Sequence, residues 1–209
     1  PHLRADALVT TPWALSVTVP NGEACLVTSR HGRRVEIGPK VVLLDFEETL
    51  STLALSRGPS KDGHATLATA FLRVEGGRVA DTFELESSDF VRLRLKLGFA
   101  GHFEAGAPEA REAWFHVADP VKLLADTVRA RVRASAQRMA AAQLLRGARE
   151  LVQAALFADG PLQFPQNGMV LDQADVLALD IVDPALATQF QKLHRESLDL
   201  ELKDQASAR

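Results

Sequence analysis

Between positions 90 and 104 apolar and polar residues alternate almost without interruption. Val91, Leu93, Leu95, Leu97, Phe99 and Phe103 fall on one side, and Arg92, Arg94, Lys96, His102 and Glu104 on the other. A period of two predicts a strand with one buried and one wet face, and Gly98 and Gly101 predict a bend or bulge within it. Upstream the chain reads as shorter strands divided by turn residues: 15–19 as an edge strand, 23–29, 33–37, a short buried run at 41–44, and 49–56 with Leu50, Leu53 and Leu55. Pro20-Asn21-Gly22, His31-Gly32 and Gly38-Pro39 punctuate them, and 57–64 is a polar loop. The runs 66–74 and 78–85 flank Gly76-Gly77, a pair that permits the positive φ of a tight turn and predicts a hairpin. This half reads as a small all-β module.

Downstream the period changes. Asp119-Pro120 has the form of a helix start, an acceptor side chain followed by a residue with no N–H to leave unpaired. Val121, Leu124, Val128 and Val132 then share one helical stripe, which loses phase at 135–139 and predicts a break there. A second helix runs to about Phe157 with Leu144, Leu145, Ala148, Leu151, Val152, Ala155 and Leu156 facing inward, and Asp159-Gly160-Pro161 ends it. The run 169–182 is a strand, with 176–179 apolar enough to be covered on both faces. Strand, helix, helix, strand is an α+β unit whose strands pair with the helices on one face. Asp183-Pro184 opens a third helix. In it Leu186, Phe190, Leu193 and Leu200, with Ser197 between, keep the 4,3,4,3 spacing of a seam that packs on another helix. Nothing upstream obviously supplies the partner, so the seam reads as an intermolecular contact, against the plainer alternative of packing on its own domain.

Composition adds bounds. The chain has 209 residues, 46% hydrophobic and 24% charged with a net charge of −3, an ordinary globular balance with no global attraction to nucleic acid or acidic lipid. That length makes one large domain or two small ones. The single cysteine, Cys25, has no internal disulfide partner, and no apolar run approaches 18 residues, so a cytoplasmic location is expected. A start at Pro1 and a last helix that stops while still helical in character suggest a piece of a longer protein.

Chemistry is sparse. His102 and Glu104 share a strand face, as two metal ligands or an acid and base would, but no third ligand has matching spacing and solvated residues are the plainer reading. Capping accounts for Asp119 and Asp183, and no Gly-x-Ser-x-Gly surrounds Ser135. Cys25 reads as a small core residue. With no glycine-rich phosphate loop, Cys-x-x-Cys or His-Glu-x-x-His, neither an enzyme nor a cofactor is called for. Arg129, Arg131, Arg133, Arg138, Arg146 and Arg149 make the helical pair basic. They read as a solvated or subunit-facing charge layer, with an anionic partner, RNA or acidic lipid, as the other reading; aromatic residues for base stacking are not interleaved.

Leu93-Arg94-Leu95-Lys96-Leu97 with His102-Phe103-Glu104, the helical pair, Phe164-Pro165-Gln166-Asn167-Gly168-Met169, and the strand into Asp183-Pro184 together resemble the shoulder region of the major vault protein family. That region belongs to the stomatin, prohibitin and flotillin (band 7, SPFH) superfamily. Val19-Pro20 through Gly38-Pro39, Glu47-Glu48 and 53–56 are similar to that family's last β-repeat. The resemblance implies a leader at 1–18, a β-repeat module at 19–86, an α+β shoulder domain at 87–183 and the start of a coiled-coil-like assembly helix at 184–209. It further implies a non-enzymatic homo-oligomer, a stave of a hollow cytoplasmic ribonucleoprotein shell holding RNA or protein cargo, with lateral contact through Leu186, Phe190, Leu193 and Leu200. The alternative within the superfamily is a peripheral membrane scaffold. One departure is that Gly98, Ala100 and Gly101 stand where the family carries bulkier aromatic residues, so a different bend in the sheet is expected.

Overall fold

The short strands of the first half do not form one sheet but three small antiparallel ones, because turn residues interrupt them before any ladder grows long. The computed structural model describes residues 8–10 and 15–207. Most of the expected leader, with Thr11-Pro12-Trp13, lies outside the described residues. One sheet has the order β1 (Leu8–Thr10), β2 (Leu15–Val19), β5 (Lys40–Leu44). In the second, β3 (Glu23–Ser29) lies between β4 (Gly32–Ile37) and β6 (Thr49–Leu50) and also pairs β9 (Leu72–Arg73). The third is β7 (Leu53–Ser56) with β8 (Thr66–Thr69).

Three expectations change here. β2 is paired on both sides and is not an edge. β5 is half-covered, not buried throughout: Val42 and Leu44 enter a small core with Val17, Val19, Cys25 and Val27, while Val41 and Leu43 are 62% and 65% exposed. The run 49–56 is two strands with different partners.

The hairpin expected at Gly76-Gly77 does not form. β10 (Gly77–Glu86) pairs along its whole length with β11 (Arg92–Phe103), from Gly77↔Gly101 to Glu86↔Arg92, and 66–73 goes to β7 and β3 instead. Only Gly76 takes a positive φ, +62°, whereas the tight turn needs two such residues. The ten-residue ladder with β11 aligns Phe83 and Leu85 with Leu95 and Leu93 on one core face, more than a local turn offers. β10 thus lies in the sheet of the second half, although the sequence pattern assigns it to the β module.

That sheet has the order β10, β11, β13 (Met169–Ile181), β12 (Leu162–Phe164), all antiparallel. α1 (Pro120–Ala136) and α2 (Ala141–Phe157) pack on its Leu93, Leu95 and Leu97 face, with Leu124, Val128, Val132, Leu144, Val152 and Leu156 turned inward. The same core takes in Ala24, Leu53, Leu72 and Val74, so the two halves of the chain share one interior. The helix break falls at 137–140. Leu145 is 37% exposed and not inward, because its neighbour Leu144, about 100° away around the helix, fills the core place. Helices cover one face of the sheet, so Leu177, expected to be covered, is 54% exposed. The register of β11 on β13 shifts between Lys96 and Leu97 and between Ala100 and Gly101. At the second shift a Cβ on Gly101 would lie 2.4 Å from the Val170 carbonyl oxygen, so the close approach demands glycine.

Candidate functional site

α3 (Pro184–Ser207) begins where β13 ends. Asp183 Oδ1 accepts hydrogen bonds from the N–H groups of Ala185 and Leu186 at 2.8 and 3.3 Å, the expected cap. Leu186 is half-buried, Phe190 packs against the main core, and Leu193 is 62% exposed. The Leu200 side chain lies outside the described residues. The first turns of the seam therefore rest on the chain's own domain and its apolar line continues into the open. Between α3, α2 and β13 lies a groove of about 490 Å³ lined by Leu145, Leu179, Ile181, Phe190 and Leu193, with Arg146 and Asp180 beside them.

The arginines do not form one surface. Arg129 is buried, donating from Nε to Asp81 Oδ2 at 2.8 Å and from Nη2 to Asp81 Oδ1 at 2.7 Å, and from Nη2 to the Ser60 hydroxyl at 3.0 Å. The bond to Asp81 raises its already high pKa. As a member of an anion-binding patch Arg129 is corrected: its charge is used inside the fold. Lys61 N–H also donates to Asp81 Oδ1, at 2.9 Å, so the 57–64 loop, β10 and α1 meet on one carboxylate that is fully buried. Arg133 stacks over Phe83 at 5.6 Å and donates from Nε to the Glu84 carbonyl at 2.9 Å. Arg131, Arg138, Arg146 and Arg149 are exposed.

Asp119 does more than cap α1. Oδ1 accepts from Lys122 N–H at 2.9 Å, and Oδ2 accepts from the Ser56 N–H and hydroxyl at 3.0 and 2.6 Å, binding β7 to the helix start. His102 engages Asp172 through Nδ1 at 2.8 Å rather than Glu104. Among the described residues no three His, Cys, Asp or Glu side chains are grouped to hold a metal ion. Cys25 is fully buried, and loss of solvation pushes its thiol up to about 11.

The Phe164 to Gly168 turn is a structural corner. Gly168 has φ +67°, its N–H donates to the Phe164 carbonyl at 2.9 Å, and its own carbonyl accepts from Glu104 N–H at 2.9 Å, tying the turn to the end of β11. Asn167 is fully buried and accepts from Met169 N–H at 3.2 Å, and Trp114 packs beside Phe103 at 5.9 Å.

Asp81, Ser56 and Asp89 are structural anchors that the sequence pattern did not single out. Asp81 left a signal, a carboxylate in the apolar phase of Val79, Phe83 and Leu85. Asp89 supplies the cap that Ala140 lacks, accepting from Ala141 N–H at 2.9 Å and from the Ser87 hydroxyl. Nothing local marks it for that use.

A family model described as "Shoulder domain", that of the major vault protein, matches residues 76–183. Major vault protein of Mus musculus is 27% identical over 216 residues, covering 93% of this chain and 25% of the relative. That of Gallus gallus is 28% identical over 93% of this chain and 24% of the relative. Major vault protein beta of Dictyostelium discoideum is 28% identical over 84% of this chain and 21% of its own length. The chain spans about a quarter of the length of these relatives.

Proposed function

Since this chain belongs to the major vault protein family, carrying its shoulder domain at residues 76–183, we propose that it is a structural subunit, or the shoulder part of one, in a hollow self-assembled particle. In this reading a β-repeat-like module runs from 19 to 73 after the leader, the shoulder begins at Gly76, where the family match starts, instead of at 87, and α3 is the assembly helix. Copies stand side by side in the cytoplasm, enclose RNA or protein, and catalyse nothing.

The observation that carries the reading is the course of α3 taken with the family match. A helix whose Leu186 and Phe190 are docked and whose Leu193 is 62% exposed presents an anchored apolar edge to a neighbour. The membrane-scaffold alternative has less to draw on, because Arg129 is tied to Asp81. The test is light scattering and negative-stain microscopy of the protein expressed from its full gene. Hollow particles that disappear with Leu193→Asp, while the circular dichroism spectrum is retained, support the proposal. A strict monomer at high concentration overturns it.

A further inference from the structure

Phe46 is 103% exposed, the most solvated large apolar side chain among the described residues. It stands on the loop between β5 and β6, and the loop is braced. Glu48 N–H donates to the Asp45 carbonyl at 3.0 Å, Asp45 N–H donates to Glu48 Oε2 at 3.0 Å, and Arg34 holds both oxygens of Glu48. Glu47 is tied to Arg30. The neighbouring Asp45 carboxylate is exposed and has no ion pair among the described residues. The tip therefore presents a phenyl ring and one unspent negative charge.

A surface of opposite character lies where β7, β10, β11 and α1 meet. There Leu55, Val79, Phe103, Val121 and Leu124 line a cleft of about 140 Å³, and Arg78 borders it, exposed and without an ion pair among the described residues. An apolar cavity of roughly 150 Å³ takes up a benzene ring.

We propose that the Asp45-Phe46 tip of one copy seats in this cleft of the next, the ring on the apolar floor and the Asp45 carboxylate against the Arg78 guanidinium. Ring size matches cleft volume, and the one free charge on each side is opposite in sign. Tip and cleft are different patches, so the contact is head to tail and propagates from copy to copy instead of closing at a dimer. The inference rests on the shell reading and gives it a contact independent of α3.

The test uses sedimentation velocity on the full chain with Phe46→Ala, which removes the tip, and Val121→Trp, which fills the cleft from a half-buried position on α1. Both variants are checked for unchanged thermal melting. The wild type is expected to associate with rising concentration, and each variant at least 10-fold more weakly. An equimolar mixture of the two, each also carrying Leu193→Asp to silence the α3 contact, is expected to stop at a one-to-one dimer, because one intact tip and one intact cleft remain. Asp45→Lys is expected to weaken association and a partner copy with Arg78→Glu to restore it. A wild type that stays monomeric, variants that associate like it, or a mixture that does not dimerise overturns the contact. Particles from the full gene that survive Phe46→Ala unchanged remove this contact and leave the shell reading standing, whereas tip-dependent dimers with no particles remove the shell reading alone.

Discussion

Arg129 brackets the carboxylate of Asp81 from α1 with two nitrogens, at 2.8 and 2.7 Å, where Asp81 has no solvent exposure. Removing either partner strands a buried charge, which typically destabilises by about 3–5 kcal/mol. Arg129→Met and Asp81→Leu are each expected to lower the unfolding free energy by that order. The double replacement Asp81→Leu with Arg129→Met is expected to lose less than either single one. Equilibrium denaturation across the four proteins measures the coupling, and strictly additive losses would contradict the pairing.

Asp119 joins a helix cap to a cross-element clamp, and the two can be separated. Ser56→Ala removes the hydroxyl that donates to Oδ2 at 2.6 Å and leaves the cap to Lys122 N–H in place. It is expected to destabilise by about 1 kcal/mol, the usual worth of such a bond. Asp119→Ala loses both functions and is expected to lose about 2 kcal/mol or more. Once Asp119 is alanine, adding Ser56→Ala is expected to change little, which thermal melts of the four proteins test.

Acid sensitivity is expected at Asp89. The hydrogen bond from the Ser87 hydroxyl, the largest effect, holds its carboxyl below the ordinary value of 3.8; loss of solvation opposes it, and Ala141 N–H adds a smaller lowering. The folded state thus favours the ionised form. The stability this gives is fully present above about pH 4 and is lost as the pH falls through the lower folded value. Asp89→Asn is expected to be less stable than the wild type at pH 7, with the gap narrowing below pH 4. A gap that stays constant down to pH 2 would contradict the assignment.

Cys25 is expected to be silent toward thiol reagents. With its thiol pushed up to about 11 and no exposed surface, it has little thiolate and no access at pH 8. Ellman's reagent is expected to read one thiol per chain in denaturant and close to none in the native protein. Rapid native labelling would mean that the β2, β3 and β5 core opens readily.

Much of the fold was legible because its determinants are local. The alternation from Val91 to Phe103, the two Asp-Pro helix starts and the break near 137–140 depend on residues within a few positions of one another. The bend expected at Gly98 and Gly101 coincides with the register shifts, since a glycine must stand where Val170 approaches. The resemblance carried by Phe164 to Gly168 and its neighbours agrees with the family match. Partnerships over long sequence separations were not legible. Gly76-Gly77 suggested a turn between adjacent runs, and β10 instead took the strand after it. Arg129 looked like one basic residue among six, and only the folded chain shows it 48 positions from its partner. The heptad in α3 showed an apolar edge but not that its first turns dock on the shoulder.

The two register shifts give β13 one residue too many at Asp172 and another at Leu177. Each surplus residue bends its strand and adds twist, and α3 follows β13 with only Val182 and Asp183 between them. The heading of α3 is thus set by how far the strand has been turned before the helix begins. If the proposed shell is built through that helix, two extra residues in the middle of a strand help to set the angle between neighbours, and with it the radius of the space enclosed.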